Sequence, residues 1–341
     1  MQDVTATALP AKTWRDNPWL LGALVALAYT VPMRLIFVGI GWRADDTAHN
    51  WLVGAMSTAF LFGVPASSGA LVVWLLARQG PVSLHQAILW PWAACLTAIV
   101  VAMVTLLEGS ICIALASPLF FFMGSLGGVA MWWIAKRRQG QSQTATALSV
   151  ALLPLLWGGG EAQWTSNAQT YRVENVAEIA ASPSVVWRHI ASVDAIAPEE
   201  LPWSLSHTIG LPRPIAATLS DQRVGGVRRA TFERGLVFRE EVTDWQPGRT
   251  IAFAIHPEHA PAEALDEHVV VGGQYFDVVH GRYTLHESAN GHTKLHLVST
   301  HRLTTTLNGY AGIWSQLIMW DLQRVVLHVI AARCERDPNR K

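Results

Sequence analysis

Up to about residue 160 the chain runs in long charge-free apolar blocks, and beyond it in short stretches that alternate apolar with polar. A helix needs about 20 apolar residues to cross a hydrocarbon layer about 30 Å thick. Five blocks are measured against that length: residues 19–40, broken only by Arg34, then 51–77, 88–107, 109–135 and the shorter 144–160. Tryptophans sit at the block ends: Trp19 and Trp42, Trp51 and Trp74, Trp90 and Trp92, Trp132 and Trp133, Trp157 and Trp164. Indole favours the headgroup layer, so this placement predicts membrane spans rather than buried helices of a soluble protein.

Lys12 and Arg15 precede the first block, Arg78 follows the second, and Lys136-Arg137-Arg138 follows the fourth. All fall on one side of a membrane, which predicts a cytoplasmic N-terminus. Residues 1–18 read as a tail rather than a signal peptide, because they lack an apolar core and a cleavage pattern. The fifth block, interrupted by Pro154 and Gly158-Gly159-Gly160, decides the side of everything after it. It is expected to cross, leaving the rest of the chain outside the cytoplasm. Arg34 is expected either to snorkel to the outer headgroups or to pair with Glu108 and pin two helices.

Downstream, residues 161–170 read as a polar linker, 171–336 as a water-soluble domain and 337–341 as a short tail. A strand at 172–180 is followed by Ser182-Pro183, an N-cap with proline at the first helical position. A Pro-rich stretch from Ala197 through Pro212 and Pro214 reads as irregular. Strands are predicted near 226–233, 236–246, 249–256, 275–286 and 293–303, and a closing helix near 308–335. The expected fold class is an all-α transmembrane bundle of four to five spans followed by an α+β domain.

Ile179-Ala180-Ala181-Ser182-Pro183-Ser184-Val185-Val186-Trp187, the later Trp245-Gln246-Pro247-Gly248-Arg249 and the long last helix carry a resemblance. Residues 170–336 resemble the START/polyketide-cyclase (SRPBCC) superfamily, and the whole chain is similar to bacterial membrane proteins that join such a domain to N-terminal spans. The resemblance implies a helix-grip fold, a curved antiparallel sheet around the last helix, with a cavity for an apolar ligand.

Alternation along the strands indicates what faces that cavity. Leu236, Phe238, Glu240 and Val242 share one face, apolar except for Glu240. The turn Glu233-Arg234-Gly235 suits a three-residue hairpin loop with a left-handed glycine. That register sets Phe232 opposite Leu236, Ala230 opposite Phe238 and Arg228 opposite Glu240; a two-residue loop would bring Arg229 there instead. A buried acid needs a partner, so the Arg–Glu match supports the three-residue loop. The same alternation isolates Asp277 among Tyr275, Val279, Tyr283 and Leu285, and Ser299 and His301 among Leu295, Leu297 and Leu303. In the last helix Tyr310, Trp314, Leu317, Asp321, Val325 and His328 recur on one face, while Trp320 and Leu327 point elsewhere. Candidate ligand-binding residues are therefore Arg228, Phe238, Glu240, Tyr275, Asp277, Tyr283, Ser299, His301 and Trp314. Each also has a plain reading as a satisfied core group.

Composition narrows the function. The charged share is 15% against 51% apolar, and 25 Lys+Arg balance 25 Asp+Glu, which excludes a disordered chain or a basic nucleic-acid surface. His256, His259, His292 and His296 lack the spacing of a metal site, so no metal and no cofactor are expected. Cys95, Cys112 and Cys334 offer no disulfide framework. The leading expectation is a membrane-anchored protein holding a lipid or other apolar small molecule. The alternatives are a cyclase- or hydrolase-type enzyme using His301, Glu240 and Asp277, and a structural or signalling protein with a protein-recognition domain.

Overall fold

A computed structural model of the 341-residue chain describes residues 17–43, 57–137, 144–161, 167–261, 271–273, 275–288 and 291–338. The start of the second apolar block and Arg138 lie outside the described residues, as does most of 258–273, a segment whose Pro261 and two glycines read as a loop able to lid the cavity. The chain divides into two compact units, Met1–Leu107 with Ala116–Trp164, and Glu108–Leu115 with Thr165–Lys341.

The first unit is helical: α1 (Pro18–Val25), α2 (Val31–Arg43), α3 (Val64–Ala77), α4 (Leu84–Val104), α5 (Ser110–Arg137), whose start through Leu115 belongs to the second unit, and α6 (Thr144–Glu161). Four stretches are long and apolar enough to cross a membrane: Pro18–Phe37, Ala59–Ala77, Leu84–Val104 and Ser110–Arg137. Local chemistry sets their starts. Ser83 and Gln86 form a reciprocal capping box on α4, and the Asn17 side chain accepts from Trp19 N ahead of Pro18. Single π-helical turns at Ala26–Thr30 and Ala59–Gly63 come just before Pro32 and Pro65. A proline removes one donor from the ladder, and the wider turn accommodates its ring.

Small residues let these helices touch backbone to backbone. A methyl group on Gly69 would lie 1.9 Å from the Gly124 oxygen, and one on Gly127 1.9 Å from the Ala66 oxygen. Helix α6 runs antiparallel to the second apolar helix. The Ser67 hydroxyl donates to Val150 O (2.7 Å), Pro154 packs on Gly63, and Gly158 packs on Ala59. At its end the buried Glu161 carboxylate accepts from Thr58 N (2.7 Å) and Ala59 N (2.8 Å). Arg34 donates to Leu107 O at 3.3 Å, so it ties α2 to the end of α4 through a carbonyl.

The second unit is a seven-stranded antiparallel sheet in the order β1-β7-β6-β5-β4-β3-β2. Its strands are β1 (Gln169–Ile179), β2 (Pro214–Leu219), β3 (Val227–Phe232), β4 (Val237–Gln246), β5 (Thr250–His259), β6 (Phe276–Glu287) and β7 (Thr293–Leu303). Helices α7 (Pro183–Ala191), α8 (Leu205–Thr208) and α9 (Asn308–Arg336) complete it. The sheet curls around α9, and its core joins Ile179, Val186, Ile190, Phe253, Leu295 and Ile330. Pro212 and Pro214 make their stretch read as irregular, yet Pro214 opens the edge strand β2; proline is tolerated at the first residue of an edge strand.

Polar side chains help hold α9 to the rest. Gln323 Nε2 donates to Val173 O and Ser299 Oγ. The Asp321 carboxylate accepts from the Ser204 hydroxyl and Ser206 N at the start of α8, and Arg333 forks onto Glu200. The helix phase differs from the sequence reading: Leu317 and His328 are exposed and Leu327 is buried. Trp320 is exposed, as read.

Candidate ligand site

The hairpin joining β3 to β4 has the expected three-residue turn, with Gly235 at φ 76°. Ala230 stands opposite Phe238 and Arg228 opposite Glu240. Arg228 Nε donates to Glu240 Oε2 at 2.5 Å, and its Nη1 donates to Ile190 O at the end of α7 (2.7 Å). A cation is favoured beside those terminal carbonyls. The guanidinium carbon lies 3.9 Å from the centre of the Phe253 ring, a stacked cation–π arrangement. Burial pulls the guanidinium pKa down, but Glu240 and Tyr283 more than offset this, leaving it above its ordinary value. Burial raises the Tyr283 hydroxyl. Arg228, Glu240 and Tyr283 thus form an internally satisfied group packed into the core.

His301 is different. It is fully buried on β7, between the stacked Tyr171 ring and the tilted Phe276 ring, each 5.6 Å away between centres. Nε2 lies 2.9 Å from Ser315 Oγ. The Ser315 hydroxyl donates to Gly312 O (3.2 Å), which leaves its oxygen to accept from Nε2–H. Nδ1 has no hydrogen-bond partner among the described residues. Burial pushes the imidazole pKa down to about 4, so the ring is neutral at pH 7. Gly312 makes room here: a methyl group there would sit 2.7 Å from the Tyr171 hydroxyl.

The other candidates separate. Ser299 accepts from Gln323 and serves the α9 tie. Phe238 is buried edge-on to Phe232. Trp314 is half-buried edge-on to Tyr310, and Tyr275 is buried just before β6. Asp277 is turned away from His301. An irregularity between Val278 and His280 shifts the register, so Val278 faces His301 and Asp277 pairs with Arg302 on the outer face. Burial raises the Asp277 carboxyl despite Arg302. Glu240 and Asp277 are therefore on opposite sheet faces.

The shift brings forward two residues the sequence reading omitted, Phe276 and Val278. Tyr171, there placed beside the linker, is the direct cross-strand neighbour of His301. On the inner face Phe232, Ile255, Phe276 and Val278 are only half-buried, whereas Ile251, Phe253, Tyr283 and Leu295 at the other end are buried. These half-buried side chains pack around Ile111, Ala230, Leu236 and Phe238, and next to them lies a neutral imidazole whose buried Nδ1 has no partner among the described residues. Such a setting suits an apolar molecule carrying one hydrogen-bonding group. Among the described residues no cluster of three His, Cys, Asp or Glu side chains is placed to hold a metal ion.

No protein-family model and no curated protein matches the chain. Solved structures do. The Mll3558 protein from Rhizobium loti is similar at 16% identity, covering 49% of this chain and 98% of its own, with a TM-score of 0.30. Truncated norcoclaurine synthase from Thalictrum flavum is similar at 13% identity over 50% of this chain and 97% of its own, TM-score 0.32. TTHA0849 from Thermus thermophilus matches at 15% identity over 48% and 96%, TM-score 0.32. With seven antiparallel strands curled around its last long helix, the carboxy-terminal half has the helix-grip fold implied by its resemblance to the START/polyketide-cyclase superfamily.

Proposed function

We propose that this protein is a membrane-anchored binder that holds an apolar small molecule, such as a lipid, on the concave face of its carboxy-terminal domain. The supporting observation is the buried Nδ1 of His301, unpartnered among the described residues and set beside the incompletely buried Phe276 and Val278; it would accept from a ligand hydroxyl or amide. In this reading α6 is a fifth crossing segment. It lies alongside the second apolar helix from Val150 to Glu161, with its end at that helix's beginning. The domain is then on the opposite side of the membrane from Lys136 and Arg137. Anchoring keeps the site at high effective concentration for molecules dissolved in the bilayer.

Solvent extraction of the purified full-length protein followed by mass spectrometry tests this. The wild type should release a stoichiometric apolar compound, and Val278→Trp, which fills the mouth, should release little while staying folded. An empty wild type, or a Val278→Trp protein that unfolds because no space exists, overturns the reading. Labelling an Arg239→Cys variant in intact cells with a membrane-impermeant maleimide tests the side; protection from the reagent would place the domain in the cytoplasm.

A further inference from the structure

The amino-terminal half of α9 has an outward face with no charge on it. From Leu303 through Trp320 the sequence contains no Asp, Glu, Lys or Arg. Ile313, Leu317 and Trp320 follow one another at helical spacing with 66%, 40% and 44% of their surface exposed. Trp203 joins this patch at 74% exposure; its carbonyl accepts from Arg324, one turn beyond Trp320. Single exposed apolar groups are ordinary, but a charge-free helix face ending in an exposed indole, with a second exposed indole beyond Arg324, is not how a domain meets bulk water.

We propose that this face, Ile313, Leu317 and Trp320 with Trp203, seats the domain in the headgroup layer of the membrane that carries the chain. The inference rests on the reading that the apolar helices cross a bilayer. Two observations favour lipid as the occupant. Indole is the side chain best suited to the boundary between headgroups and acyl chains, and Trp320 and Trp203 supply two. The tether is also short: seven residues separate Glu161 from Gln169, so full extension reaches about 28 Å. A domain held that close meets the bilayer surface far more often than any partner free in solution. Apolar area and indole insertion supply the attraction, as for interfacial helices without a basic face.

The test uses full-length protein in lipid nanodiscs, in a Cys112→Ala background that leaves only the buried Cys95 and Cys334. An environment-sensitive fluorophore is attached at Leu317→Cys and, to spare the apolar groups, separately at Gln316→Cys. Controls are Leu126→Cys on the apolar α5 and Arg239→Cys on the outer sheet face. Lipid spin-labelled high on the acyl chain should quench positions 316 and 317 at least twofold more than position 239, and aqueous iodide should show the reverse order. Strong iodide quenching at 316 and 317 with lipid quenching at 126 overturns the proposal while the membrane reading stands. Shielding of 316 and 317 from both quenchers also overturns it, because protein then covers the face. Absence of lipid quenching at 126 removes the membrane reading itself.

Discussion

Replacing Glu240 with alanine isolates what the buried ion pair contributes. The change strands the Arg228 guanidinium in a site with almost no solvent exposure, where Glu240 is its one ion-pair partner among the described residues. Removing one partner of a buried pair costs about 3–5 kcal/mol. Arg228 keeps the Ile190 carbonyl and the Phe253 ring, which places this case near the lower end, about 3 kcal/mol. Amide hydrogen exchange of the full-length protein in detergent reads it directly. Peptides from β3 to β5 should exchange about 150-fold faster in Glu240→Ala, while those from α3 and α4, in the other unit, keep their rates. The paired change Arg228→Met with Glu240→Leu should recover most of the protection, since apolar isosteres of a buried pair are near neutral. An increase below tenfold, or a double variant as labile as the single one, would refute the view that this pair is a satisfied core element.

Acid should loosen the same domain. His301 has a folded pKa near 4 against about 6.5 when unfolded, so the unfolded chain binds more protons between those values and stability rises with pH through that window. The loss at pH 5 relative to neutral is about 2 kcal/mol, and His301→Gln should flatten the fall in Tm; His207 and His280, also pushed down by burial, act in the same sense. Gly127→Leu forces a side chain into the Ala66 carbonyl and should prevent recovery of folded helical unit from membranes, scored by size-exclusion profile in detergent. Glu161→Gln halves the acceptor capacity offered to Thr58 N and Ala59 N and should lower stability by about 1–3 kcal/mol, seen as faster exchange at the start of the second apolar helix.

Local chemistry made some of the fold readable and hid the rest. The β3–β4 register followed from one glycine in a left-handed turn and one Arg–Glu match, both short-range signals. The strand alternation of β7 held along its whole length, so His301 and Ser299 face inward as read. Asp277 did not, because one irregularity in β6 reverses parity and nothing in Val278-Val279-His280 announces it. The face of α9 was misread for a different reason: Ile313, Leu317 and Trp320 make its outer side as apolar as its inner one, so periodicity carries little phase information. The free nitrogen of His301 depends on the Ser315 and Gly312 geometry, which only the folded chain assembles.

The Glu161 carboxylate has a consequence for biogenesis. The amides it satisfies belong to Thr58 and Ala59, about a hundred residues earlier, so they leave the ribosome long before their partner is made. Until then the second helix must keep its first turn near water or borrow another acceptor. Among the described helices the bundle can therefore lock only when α6 arrives, immediately ahead of the polar domain, and truncation before residue 161 should leave an assembly that is formed yet unlatched.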